Sequence, residues 1–179
     1  MRRLASTLLT IALCAVPAAV RAESIHATAE FESERTIGTS RMPFTLEVDR
    51  TTSVEEARGL LELLARGGQG LLRSAIAGRS DGRIRLGALE FRVSVIVVVE
   101  QDDGRIYSVL TDRPLRPSAT VGGDDSAKPF GVMRIEVDEG GLGEGTFRAA
   151  TSLAIDDAGA LVVGDGEEPG RLLDVRRTD

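Results

Sequence analysis

The 179-residue sequence predicts an α+β fold. We expect a curved, mainly antiparallel β-sheet of about seven or eight strands, with one helix or helical hairpin inserted between strands 2 and 3. Two observations lead to this prediction. Apolar and polar residues alternate along many short segments separated by Gly- and Asp-rich turns, and the spacing becomes helical between residues 53 and 77. Internal glycines favour curvature, and partial closure into a barrel is the alternative to an open sheet.

The first two strands are predicted at Ile25–Glu34 and Met42–Asp49, where every second residue is apolar. Side chains two positions apart share one face of a strand, so each segment has one buried and one solvated face. Thr36–Arg41 between them contains Gly38 and is short enough for a hairpin turn.

The predicted helix begins at Ser53, which forms a capping-box pattern with Glu56. Apolar residues then recur at helical spacing until Gly67–Gly68 ends the segment. A shorter helix is expected at Leu71–Ala77. We expect the helical segment to cover one face of the sheet, over Ile96 and Val98 of a later strand.

That later strand, Leu89–Glu100, is the most apolar segment after residue 22. Its odd positions predict one unbroken buried row: Leu89, Phe91, Val93, Val95, Val97 and Val99. The pair Asp103–Gly104 favours a tight turn into a return strand at Arg105–Asp112. Because a Val-rich strand would promote aggregation if its edge were exposed, we expect it at the centre of the sheet.

The remaining segments continue the β pattern around one long irregular loop at residues 114–129. This loop is either functional or merely mobile. Turns are predicted at Glu139–Gly145 and Asp157–Gly159. The other predicted strands are Ile84–Leu86, Phe130–Asp138, Thr146–Asp156, Ala160–Val163 and Leu172–Val175.

Residues 1–22 have the pattern of a secretory signal peptide: two arginines, an apolar stretch and a small residue, Ala22, at the end. An uncleaved membrane anchor is the alternative, although the apolar stretch is short for a span. Cleavage after Ala22 predicts a single α+β domain at residues 23–179, exported to the periplasm or the extracellular space, without a stable membrane anchor. Cys14, the only cysteine, would leave with the signal peptide.

The charge and composition argue against several classes of partner. The formal net charge is −6, and removal of residues 1–22 takes away three arginines and no acidic residue. An acidic chain without a basic patch is a poor candidate for binding nucleic acid. The aromatic content is only 3%, which weakens a carbohydrate-binding hypothesis because such sites usually use exposed aromatic rings.

Catalytic, metal and cofactor sites are not predicted. His26 is the only histidine and lies on the polar face of the first strand, so a Ser-His-Asp triad has one candidate base and a zinc site lacks ligands. Asp165–Glu167 is the best calcium candidate, and it does not match an EF-hand loop. Paired acids could serve a carboxylate-dependent hydrolase, although most of them adjoin turn glycines, where Asp is favoured for backbone reasons. These pairs are Asp102–Asp103, Asp124–Asp125, Asp138–Glu139, Asp156–Asp157 and Glu167–Glu168.

The candidate ligand-binding residues are Asp112 and Arg113. They place an acid and a guanidinium where the return strand enters the long loop. The alternative is a solvated pair at the end of a strand. Because loops carried on a rigid sheet often hold binding residues, this is the position where a site is expected.

Five short motifs occur in a fixed order along the chain: Glu55–Arg58, Gly67–Gln69 with Leu71 and Leu72, Thr111–Pro114, Phe130–Met133 and Gly143–Gly145. In this order they resemble a family of exported bacterial proteins known only as hypothetical. The resemblance spans most of residues 23–179, implies a recurring secreted domain and brings no established activity, so no functional residue is carried over.

The function expected from these observations is that of an exported, non-enzymatic module that binds a small apolar ligand or a protein partner in the cell envelope. Two alternatives stay open. A carboxylate-dependent hydrolase would bring two acids together in one pocket. A structural or assembly protein of the envelope would expose a large apolar patch in place of an internal cavity.

Overall fold

A computed structural model of the chain describes residues 23–32, 39–115, 127–164 and 168–178. The predicted signal peptide, residues 36–38 of the predicted turn at 36–41, and residues 116–126 of the predicted loop lie outside the described residues, and residues 39–41 of that turn belong to the second strand. The described part confirms the α+β fold: the sheet is antiparallel throughout, and one helical segment lies between the second and third strands.

The helical segment is α1 (Val54–Ile76). The strands are β1 (Glu23–Glu32), β2 (Thr39–Val48), β3 (Gly82–Leu86), β4 (Leu89–Val93), β5 (Val95–Gln101), β6 (Gly104–Thr111), β7 (Phe130–Asp138), β8 (Leu142–Thr151), β9 (Leu153–Ile155), β10 (Leu161–Val163) and β11 (Gly170–Thr178).

The main sheet curves into a nearly closed barrel. Its nine strands follow the order β4-β3-β2-β1-β11-β8-β7-β6-β5, and the pairing of β1 with β11 joins the two ends of the domain. Only Ser94 separates the two outermost strands, β4 and β5, and β4 also lies against β6. Counted as one bent strand, β4 and β5 close the wall, and the strand number becomes eight, within the predicted range.

The prediction of one central strand at Leu89–Glu100 is therefore wrong in its pairing. Its first half pairs with β3 and its second half with β6, so the segment supplies both ends of the strand order. The Val-rich segment is nevertheless protected from pairing with other chains, because the two ends of the sheet lie against each other. Closure of a barrel removes free edges as effectively as a central position does.

The predicted unbroken apolar row is also wrong, because the strand changes face at Ser94. Phe91 and Val93 point into the barrel, whereas Val95 and Val97 share an outer cluster with residues of α1. The bend shifts the alternation by one residue, and such a shift moves every later side chain to the opposite face.

The helix consequently does not cover the predicted residues Ile96 and Val98. Ile96 and Val98 belong to the barrel interior, and α1 packs over Val95 and Val97 instead. The prediction that a helical layer covers part of this strand is confirmed, and the identity of the covered face is corrected.

The helix itself follows the sequence pattern closely. Ser53 accepts a hydrogen bond from the N–H of Glu56, whose carboxylate accepts one from the N–H of Ser53, so the predicted capping box is present. Gly68 has a φ of 66°, and this left-handed residue kinks the segment at the predicted boundary between two helices. Leu64, Leu72 and Ile76 form the buried stripe.

The last third of the chain differs from the prediction in its strand boundaries. The turn expected at Glu139–Gly145 is shorter, because β8 already begins at Leu142. The strand expected at Thr146–Asp156 is divided at Ser152, after which β9 leaves the barrel and pairs with β10 in a separate two-stranded sheet. This small sheet rests on α1 outside the barrel.

Candidate functional site

The predicted ligand-binding residues Asp112 and Arg113 directly follow β6. The carbonyl of Asp112 accepts a hydrogen bond from Nε of Arg73 on α1 at 3.1 Å, and the carbonyl of Arg113 accepts one from the hydroxyl of Thr111 at 2.6 Å. Neither charged side chain is hydrogen-bonded or ion-paired with a described residue. The backbone here ties the end of β6 to α1, and a ligand-binding role for the two side chains stays a prediction.

Leu115, two residues further on, closes this end of the barrel. Its N–H donates to the carbonyl of Ala149 at 2.7 Å, and its side chain is buried in the interior cluster. The cavity beneath it measures about 10 Å³, which is the space of about one water molecule. Its wall is wholly apolar: Phe44, Ile84, Leu86, Leu115, Met133 and Phe147.

A second closure involves Tyr107, whose side chain is fully buried in the barrel. Its hydroxyl donates to the carboxylate of Glu23 on β1 at 2.6 Å, and Arg105 and Arg177 both lie 3.3 Å from the same carboxylate. Since three strands separate β1 from β6 around the wall, this contact crosses the barrel interior. Burial and the nearby Glu23 carboxylate raise the pKa of Tyr107 to about 12.

The most connected polar cluster centres on Asp81, whose side chain is only 1% exposed. One carboxylate oxygen accepts from Nε and Nη2 of Arg50 at 3.2 and 2.8 Å. The other accepts from the hydroxyl of Thr52 at 2.5 Å and lies 3.5 Å from Nη2 of Arg79. Asp81 holds the pKa of Arg50 above its usual value, chiefly through this hydrogen bonding.

The backbone around Asp81 ties the same cluster to the bent strand. The carbonyl of Asp81 accepts from the N–H of Arg50 at 2.9 Å, and its own N–H donates to the carbonyl of Val93 at 2.8 Å. Arg79 donates through Nε to the carbonyl of Ser94 at 3.1 Å. Because every oxygen of the carboxylate is already paired, the cluster fits a structural clamp at the bend between β4 and β5 better than a reactive acid.

Local sequence patterns do not predict this cluster. Asp81 lies next to Gly82 just before the predicted strand at Ile84–Leu86, and its partner Arg50 lies 31 positions earlier. The available signal was the density of polar residues at 50–53, immediately before an apolar helix, together with an acid placed at the start of a short strand.

The acid pairs that the structure describes lie in three turns. Asp102–Asp103 joins β5 to β6, Asp138 ends β7 and Glu139 follows it, and Asp156–Asp157 follows β9. Asp138 accepts from the N–H of Leu142, and Asp156 accepts from the N–H groups of Ala158 and Ala160. These are backbone roles, as expected for Asp in turns.

Potential metal and catalytic ligands are correspondingly dispersed. Within the described ranges, no group of three or more His, Cys, Asp or Glu side chains is placed to hold a metal ion. His26 is exposed, with Nδ1 3.3 Å from the hydroxyl of Thr45. The calcium candidate Asp165–Glu167 lies outside the described residues.

The small sheet exposes the most unusual apolar surface. All three residues of β10 are large, apolar and exposed: Leu161 is 47%, Val162 41% and Val163 39% exposed. Its neighbour β9 contributes Leu153 and Ile155 to the outer apolar cluster beneath α1. Strand β10 pairs with β9 alone among the described strands, so its other edge is free.

No protein-family model, curated protein or solved structure matches this sequence. The resemblance to exported hypothetical proteins therefore stays a prediction. Among the described residues, no helix has the length and apolarity needed to cross a membrane.

Proposed function

We propose that this protein is an exported, non-enzymatic binding module whose partner is a protein of the cell envelope that adds a strand to β10. The observation that carries the proposal is the free edge of β10, with three consecutive exposed apolar residues. Export rests on the signal-peptide pattern of residues 1–22. Unprotected apolar edges are rare in natural sheets because they pair with other chains.

The hydrogen-bonding groups of β10 support strand addition. Ala160 and Gly164 bond towards β9, through Asp156 N–H to Ala160 C=O at 3.0 Å and Gly164 N–H to Ser152 C=O at 2.8 Å. In an antiparallel pair, alternate residues bond to the same neighbour. The main-chain groups of Leu161 and Val163 therefore point to the free edge, where an extended segment can accept and donate.

Strand β10 is held in place by contacts of the hairpin with α1 and with the end of β8, which reduces the entropy lost on binding. The side chain of Gln69 on α1 accepts a hydrogen bond from the N–H of Leu153 at 3.1 Å, and the hydroxyl of Thr151 donates to the carbonyl of Gly164 at 3.0 Å. Leu153 is buried between the hairpin and the helix. The end of the two-stranded sheet that follows β8 is thus fixed to α1 and to β8.

A protein partner is better supported than a small apolar ligand. Ligand pockets usually enclose about 300–1,000 Å³, whereas the apolar cavity under Leu115 measures about 10 Å³. Leu115 fills one end of the barrel, and the contact between Tyr107 and Glu23 crosses the interior elsewhere. A hydrolase is less well supported, because the described acid pairs lie at separate exposed turns, where Asp138 and Asp156 accept hydrogen bonds from backbone N–H groups.

A structural role in assembly is the second candidate, and the same edge favours it. Two copies of the chain could pair through β10 in an antiparallel, two-fold arrangement. In this case the partner is a second copy of the chain and not a different envelope protein, so the mass of a covalent adduct distinguishes the two kinds of partner.

The test is site-specific photo-crosslinking in the native host, with a photoreactive residue at position 162. We expect one dominant adduct with an envelope protein. Val163→Pro is then added to the chain that carries this photoreactive residue. It removes a backbone N–H on the edge of β10 away from β9 and leaves the hydrogen bonds to β9 intact, so we expect it to abolish the adduct. A Tm equal to that of the unsubstituted protein would show that Val163→Pro retains the fold.

The matched control is Leu142, which is 55% exposed at the start of β8. A photoreactive residue at position 142 should give no dominant adduct, and Leu142→Lys should leave the adduct from position 162 unchanged. Adducts of equal pattern from both positions would contradict the proposal. An adduct with twice the monomer mass would support assembly through a second copy instead.

A further inference from the structure

A shallow groove crosses the outer face of β7, β8 and β11, on the side of the wall away from the barrel interior. Its volume is about 180 Å³, far larger than the cavity beneath Leu115. We call it the polar groove, and its polar side chains are Arg134, Glu136, Glu144, Thr146 and Arg171.

The first row of the polar groove carries hydrogen-bond donors. Arg134 of β7 and Arg171 of β11 each pair in register with Thr146 of β8, which lies between them. Neighbouring strands are about 4.8 Å apart, so both guanidinium groups can reach a ligand above the Thr146 hydroxyl. The side chains of Arg171 and Thr146 form no bond with a described residue. This row suits a carboxylate, which accepts several charge-assisted hydrogen bonds at once.

The second row carries like charges. Glu136 and Glu144 are directly opposite in the β7–β8 pair. Such pairs destabilise a sheet unless a cation compensates for them. Arg134 donates to Glu136 at 2.8 Å, while Glu144 has no bond to a described residue. This row lies two residues along the strands from the first, a distance of roughly 6–7 Å, and suits an ammonium group.

The backbone beside the polar groove is irregular. The pairing of β11 with β8 shifts between Leu172 and Val175, and Asp174 has a φ of 53°, which is uncommon for a residue other than glycine. Bulges of this kind re-aim side chains and are frequent beside binding sites. Gly145 contributes only backbone to the groove, because a Cβ there would point into the barrel, 3.1 Å from the side chain of the interior residue Leu172.

We propose that the polar groove binds a small zwitterion whose carboxylate and ammonium group are roughly 6–7 Å apart, as they are in an extended dipeptide. The carboxylate lies between Arg134 and Arg171, and the ammonium lies between Glu136 and Glu144. Arg134 and Glu136 pair with each other. Arg171 and Glu144 are therefore the two charges without a bond to a described residue, and a single anion or cation compensates only one of them. The volume fits a molecule of this size, and the site is independent of the β10 edge.

The test is an NMR titration of the ¹⁵N-labelled protein with glycylglycine. We expect saturable shifts of the amides of Gly145, Thr146 and Arg171. Two matched probes each lack one charge: N-acetylglycylglycine has no ammonium, and glycylglycinamide has no carboxylate. Each should bind about five- to tenfold more weakly, as expected for losing one partly exposed charged contact.

Two substitutions assign the charges to residues. Arg171→Gln should weaken the binding of glycylglycine more than the binding of glycylglycinamide, because only glycylglycine has the carboxylate. Arg92→Gln is the control, since Arg92 is an exposed outer-face arginine of β4, and it should leave binding unchanged. The proposal is overturned by equal affinity for all three probes, by shifts outside the groove only, or by no saturable shift.

Discussion

The barrel interior and the layer outside it bury their apolar side chains to different degrees. Ile96 and Ile135 inside the barrel are fully buried, whereas Leu161 and Val162 of the outer sheet are more than one-third exposed. The interior is filled and closed by side chains of the wall and by Leu115. The outer layer ends at β10, which pairs with β9 alone among the described strands. Stability is therefore expected to reside mainly in the barrel, and the capacity for binding in the outer layer.

The largest expected effect tests this difference on adjacent residues. Ile96→Ala should lower the free energy of unfolding by about 3 kcal/mol, because it leaves a cavity in a packed interior. Val97→Ala, on the outer face of the same strand, should cost about 1 kcal/mol, because Val97 is only partly buried. Urea unfolding of both variants measures the contrast. Equal losses would show that the bend at Ser94 does not separate two packing layers.

The second effect concerns the clamp that holds the bend between the layers. Asp81→Asn should cost about 2 kcal/mol, since it removes the charge that compensates Arg50 and Arg79 while keeping the volume. The expected loss of stability is smaller than for a fully buried ion pair, because the Arg50 side chain is 47% exposed. Urea unfolding of Asp81→Asn and of the control Asp157→Asn, in an exposed turn, measures it. A loss no larger than the control would exclude the clamp.

The third expected effect is a pH dependence of the unfolding free energy, and it comes from a tyrosine buried in the barrel interior. The pKa of Tyr107 is about 12 in the folded chain, against an ordinary value of 10.0. The folded state thus favours the protonated phenol, and this contribution is complete below pH 10 and is lost as the pH rises towards 12. Unfolding free energies measured from pH 9 to 12 should fall more steeply for the unsubstituted protein than for Tyr107→Phe. Parallel curves would contradict the buried hydrogen bond to Glu23.

The local patterns predicted most of the elements but not the way they join. Ser53 and Glu56 define the start of the helix, and Gly68 its kink, through contacts within a few residues. From Val93 to Val99, however, apolar residues occur at both odd and even positions. Alternation therefore carries no information about which face is buried, and the change at Ser94 could not be located. It depends on pairing with β3 and β6, which are separate segments of the chain.

The candidate surfaces were predicted still less completely, for the same physical reason. Ala160–Val163 was expected to be a strand, but its exposure depends on β9 leaving the barrel at Ser152. The polar groove combines residues of β7, β8 and β11, and which of them face one another depends on the register of these three strands. Asp112 and Arg113 are predicted as site residues because they lie where the return strand enters the long loop. A position at the end of a strand does not by itself give two charges a cavity or a shared ligand.

The smallest effect is expected at the bend itself. Ser94 is fully buried, and its hydroxyl has no hydrogen-bond partner among the described residues, whereas its carbonyl is held by Arg79. Removing an unpaired buried hydroxyl relieves its desolvation penalty, so Ser94→Ala should leave the unfolding free energy unchanged or raise it by up to about 1 kcal/mol. Thr52→Val, which removes a hydroxyl that is paired with Asp81, should instead lower it by about 1–2 kcal/mol. If Ser94→Ala destabilised the protein as much as Thr52→Val does, the hydroxyl of Ser94 would have a partner that holds the bend, and the clamp would not depend on Asp81 alone.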